Sequence, residues 1–81
     1  MNIRELDKNK TEQAISNEHA RLDTCRESLE RLVREYDTKK FHYTNDLNNL
    51  ENKIKTLKES IESGEIFIRQ CNEHLILDFN N

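Results

Sequence analysis

With 81 residues, 33% of them apolar and 36% charged, the chain is one small domain, and a domain near this size seldom gains more than about 3–5 kcal/mol from a lone core. The absence of Pro and Trp and the single Gly remove the strongest helix breakers, which favours long solvated helices that associate. A net charge of −3 is too mild for a purely electrostatic partner such as bulk DNA, and no secretory signal or apolar run of about 18 residues is present, so a cytoplasmic protein without a membrane span is expected.

Met1 to Thr11 holds Ile3 and Leu6 and then a polar run. Two helix starts compete there. Asn2 with Glu5 and Asn9 with Glu12 both have the spacing of a capping side chain and an acid three residues later.

From Ile15 a first seam emerges. Ile15, Leu22, Leu29 and Tyr36 recur every seven residues, with Cys25 and Leu32 in the intervening core positions. Ala14, Ala20 and Val33 widen the stripe, and His19 falls between Ile15 and Leu22 on the same face. Its expected role is that of a boundary residue with one ring nitrogen in water, since a lone His has neither a base partner nor a metal cluster.

Between Tyr36 and Leu47 the three-four alternation breaks. Asp37, Thr38, Thr44, Asn45 and Asp46 favour caps and turns, and Lys39 and Lys40 suit the C-terminal end of a helix. A turn near Phe41 makes the two arms antiparallel, with facing residue numbers that total about 83. Tyr36 then faces Leu47, Leu22 faces Ile61, Ile15 faces Ile68, His19 faces Gly64 and Leu6 reaches Leu77.

The second arm carries the clearest pattern. Leu47, Leu50, Ile54, Leu57, Ile61, Gly64, Ile68, Cys71 and Leu75 alternate steps of three and four, the signature of a coiled-coil seam. Gly64 is its one flaw, a tolerated weak point and the place for a kink. Past it the apolar content exceeds what a two-helix seam uses. Ile3, Leu6, Ile66, Phe67, Ile76, Leu77 and Phe79 are therefore the candidate protein interface.

Cys71 and His74, three apart with Glu73 between them, come nearest to a metal site. One chain supplies only two ligands, however, and zinc wants four, or three and a water. No metal or cofactor is expected. Two cysteines are too few for a disulfide framework and lack C-x-x-C spacing; they are expected to stay reduced and unbridged within the chain. A slender hairpin offers little concavity in which acids and bases converge, and no catalytic or nucleotide motif occurs, so an enzyme is not expected. Arg31, Arg34, Lys39, Lys40, Phe41 and Tyr43 form a basic and aromatic tip suited to phosphates and unpaired bases.

These observations predict an all-α helical hairpin over residues 1–81: a helix over about 3–37, a turn over about 38–44 and a helix over about 45–77. A dimer forming a four-helix bundle is expected, because the open end needs cover. Functionally, the leading expectation is a non-enzymatic regulatory module that binds another protein. An RNA-binding hairpin dimer is the alternative, similar in architecture only to the small plasmid copy-control hairpin that grips paired RNA loops. Small Asn- and Lys-rich helical chains are also frequent among bacteriophage accessory proteins, which suggests a role in regulating host or phage processes by protein binding.

Overall fold

The computed structural model describes residues 2–39 and 44–79. Two long helices, α1 (Lys8–Lys39) and α2 (Thr44–His74), pack against each other as an antiparallel hairpin, with a 3₁₀ turn (Ile3–Glu5) before them and a π-helical turn (Leu75–Phe79) after. The result is a rod of 58 × 17 × 15 Å with a radius of gyration of 17.2 Å, against about 12 Å for a compact domain of this length. It exposes 6181 Å²; a compact monomer of 9.7 kDa exposes about 5,100 Å².

The N-terminal helix starts between the two capping pairs, later than Asn2 and earlier than Asn9 would set it. Asn2 caps only the 3₁₀ turn, its Oδ1 accepting from the Arg4 N–H at 3.1 Å, and Leu6 is extended. Asp7 then caps α1. Its Oδ1 accepts the Lys10 N–H at 2.7 Å, and its carbonyl accepts both the N–H and the hydroxyl of Thr11, at 2.9 and 2.7 Å. A carboxylate there satisfies orphan N–H groups and favours the positive end of the macrodipole, so Asn9 lies within α1 instead of capping it.

On α2 the seam is covered as its spacing implies. Leu50, Gly64, Ile68 and Cys71 are buried, and Leu47, Ile54, Leu57, Ile61 and Leu75 are half-buried. On α1 the stripe runs Thr11, Ile15, Glu18, Leu22, Cys25, Leu29, Leu32 and Tyr36, with Thr11 and Leu22 fully buried and the rest half-buried. Every step is three or four. Glu18 thus holds the place expected for His19, which is exposed.

The register between the arms is set at Gly64. A Cβ there would stand 2.5 Å from Glu18 Oε1, 2.6 Å from Leu22 Cδ2 and 2.8 Å from Arg21 Nη2. Leu22, and not His19, presses on the glycine, so the arms are offset by about one helical turn from the expected register. Arg21 bonds Glu18 at 2.5 Å, then crosses the seam to Ser60, donating from Nη1 to Oγ at 2.8 Å and from Nη2 to the carbonyl at 3.2 Å. α2 continues through Gly64 with ordinary negative φ. The missing side chain serves as a socket for the opposite arm.

The α-helical part of the second arm ends at His74, short of the expected 77, and widens into the π turn. Of the expected turn, residues 40–43 lie outside the described residues.

Candidate functional site

The open end is closed by one buried imidazole. His74, with its side chain 3% exposed, donates from Nε2 to the Leu6 carbonyl at 2.9 Å and meets Asp78 Oδ2 through Nδ1 at 2.5 Å. Phe79 stands edge-on to the ring at 5.0 Å and 78°, the geometry in which a positive ring edge meets a negative face. The wide π turn places Asp78 and Phe79 against His74, and the Leu6 carbonyl is free to accept because Leu6 is extended. His74 therefore pins residues 2–7 across the end of the hairpin. Leu6, expected against Leu77, is held through its backbone.

The candidate interface residues divide into two sets. Ile3, Leu6, Phe67 and Phe79 are half-buried, while Ile66 is 38%, Ile76 60% and Leu77 72% exposed. Ile3 and Leu77 line one groove with Asn2, Arg4 and Gln70, and Ile76 and Phe79 line another with Lys8 and Glu12. Ile3, Leu6 and Phe79 lie at the clamped end and Ile76 and Leu77 project from it, whereas Ile66 and Phe67 sit about two turns earlier on α2. Sequence spacing marked His74 only as a candidate metal ligand and missed its part in the clamp, because its partner is a main-chain carbonyl that no side-chain pattern records.

Both nitrogens of His74 are committed inside the fold, and Cys71 is 0% exposed. Among the described residues, no group of three His, Cys, Asp or Glu side chains is placed to hold a metal ion. Burial pushes the Cys71 thiol above its ordinary range, with Glu18 adding to the effect, whereas Cys25 is free and half-buried. The thiolate is the reactive form. Iodoacetamide is accordingly expected to label Cys25 first and Cys71 only after unfolding, as peptide mass spectrometry would read; equal labelling in the native protein would contradict the buried placement of Cys71.

At the tip, Arg34 forms an ion pair with Glu30, and Arg31 donates to Ser28 Oγ at 3.4 Å. Both guanidinium groups are thus engaged along α1. Lys39 closes α1, and Lys40, Phe41 and Tyr43 lie outside the described residues. Nearby, the Tyr36 hydroxyl donates to Glu51 at 2.9 Å, a bond that raises the phenol above its usual pKa. No helix is long and apolar enough to cross a membrane among the described residues. Comparison with protein-family models, curated proteins and solved structures finds no match.

Proposed function

We propose that the chain is a non-enzymatic regulatory module that binds another protein through its open end and works as a homodimeric four-helix bundle. The observation that supports this reading is the projection of Ile76 and Leu77, 60% and 72% exposed, from a turn whose own position is held by His74, Asp78 and Leu6. Large apolar side chains fixed on the outside of a rigid end are poor for a lone soluble monomer and good for a partner. The alternative nucleic-acid reading rests on the basic tip, where Arg34 shares its charge with Glu30 in an exposed pair.

The test uses two double variants in pull-down from cell extract, with helicity as a folding control. Ile76→Glu with Leu77→Glu is expected to lose the recovered protein partner, and Lys39→Glu with Lys40→Glu to retain it. If only the tip variant loses its partner, and that partner is a nucleic acid released by moderate salt, the nucleic-acid reading replaces this one.

A further inference from the structure

α2 carries six charges on one flank of its buried stripe. Glu51, Lys55, Lys58, Glu62, Glu65 and Arg69 follow at steps of four, three, four, three and four. The flank lies on the side of the hairpin where Glu65 pairs with Arg26 at 3.2 Å, opposite the side where Arg21 reaches Ser60. Read along the helix, the signs are minus, plus, plus, minus, minus, plus. Read backwards, every sign is reversed.

A helix with that property is complementary to an antiparallel copy of itself. With a two-fold axis level with Ser60, Glu51 meets the partner's Arg69, Lys55 meets the partner's Glu65 and Lys58 meets the partner's Glu62, and symmetry repeats each pair. Ser60 is one residue from the midpoint of α2, so the two copies overlap along nearly the whole helix. The bland explanation of such a stripe is pairing four residues apart within one helix, as Glu51 with Lys55, Lys58 with Glu62 and Glu65 with Arg69. In the structure none of those three pairs forms: Glu65 goes to Arg26 and Glu51 accepts from Tyr36.

The same flank has apolar ground to cover. Val33, Tyr36 and Ile54 line an open groove of about 480 Å³, with Lys55 and Lys58 on its wall, and Val33 is 38% exposed. The axis at Ser60 brings the partner's Ile66 level with Ile54. The chain's surface exceeds that of a compact monomer by about 1,000 Å², and a standard interface takes about 800 Å² from each partner.

We propose that this flank is the docking face for a second copy of the chain, α2 against α2, antiparallel about an axis at Ser60. The inference specifies the dimer of the proposed function and rests on it. Unlike the dimer expected from the sequence, whose purpose was to cover the open end, it leaves the two open ends at opposite poles, free for their partner.

Sedimentation of four samples tests it: the unaltered chain, the variant Lys55→Glu with Lys58→Glu, the variant Glu62→Lys with Glu65→Lys, and an equimolar mixture of the two variants. The unaltered chain is expected to be a dimer. Each variant alone juxtaposes like charges four times and is expected to self-associate about tenfold more weakly or worse. Mixing restores opposite charges at all four substituted pairs, so the mixture is expected to recover the dimer as a one-to-one heterodimer. Circular dichroism covers the case in which the variants do not fold alone, because helicity must then return on mixing. Absence of rescue overturns the proposal, as charges that act only within one helix cannot be repaired by another chain. A monomeric unaltered chain removes the dimer reading itself, whereas a dimer that persists in both variants keeps the dimer and rejects this face.

Discussion

Leu22→Ala is expected to cost about 2–5 kcal/mol, the range for truncating a fully buried leucine. Leu22 is 1% exposed and stands over Gly64, in a core whose buried apolar members among the described residues are Leu22, Leu50, Ile68 and Cys71. Because a lone core of this size supplies only about 3–5 kcal/mol, one truncation at this point removes most of the stability. A second substitution makes the expectation specific to the observed register. Gly64→Ala alone puts a Cβ within 2.8 Å of Glu18 Oε1, Leu22 Cδ2 and Arg21 Nη2; the Glu18 and Arg21 ends can swing aside, but the buried Leu22 must repack, which offsets the gain of about 1 kcal/mol in helix propensity. Combined with Leu22→Ala, the new methyl enters the space the leucine has left. The double variant is therefore expected to be more stable than the two separate effects predict when added, by an amount urea unfolding can resolve. Simple additivity would mean that Leu22 and Gly64 do not touch, and the register with His19 opposite the glycine would return.

His74→Leu should release the N-terminal segment. Leucine fills much of the ring's volume but donates nothing, so the Leu6 carbonyl loses its partner and Asp78 loses its neighbour. Leaving a part-buried acceptor unpaired costs about 1–3 kcal/mol. The loss is local, because residues 2–7 are held at this end while α1 and α2 keep their seam. Amide exchange over Ile3–Leu6 is expected to accelerate strongly, together with tryptic cleavage after Arg4, while the Leu50 and Ile68 amides stay protected. Asp78→Asn separates the two bonds of the clamp. A neutral imidazole can donate from Nε2 to Leu6 and accept at Nδ1 from the new amide, so this variant is expected to keep the segment closed. If Asp78→Asn opens the end as fully as His74→Leu, the bond to Leu6 is not what closes it.

Periodicity alone determined that two α-helices form and which side of α2 is covered, since an apolar stripe at steps of three and four has no other way to leave water. Leu50, Ile68 and Cys71 are buried where that stripe puts them. The offset between the arms was a different matter. Two heptad seams match almost equally well when one slides by a turn, so composition at the seam cannot choose among registers; the choice fell to the socket at Gly64 and to Arg21 reaching Ser60. Glu18 is a seam residue because it stands one heptad before Cys25 and two before Leu32, and it is tolerated there, against the preference of charged groups for the outside, because Arg21 supplies its counterion within 2.5 Å; His19 falls off the stripe and is exposed. The open end was decided even further from side-chain patterning. Its clamp is a ring nitrogen on a backbone carbonyl 68 residues away in sequence, formed only once the arms are packed, and the π turn that completes it has no apolar period to announce it. What the amino acids specify locally is the helices and their faces; which residues of the two faces meet is a property of the packed pair.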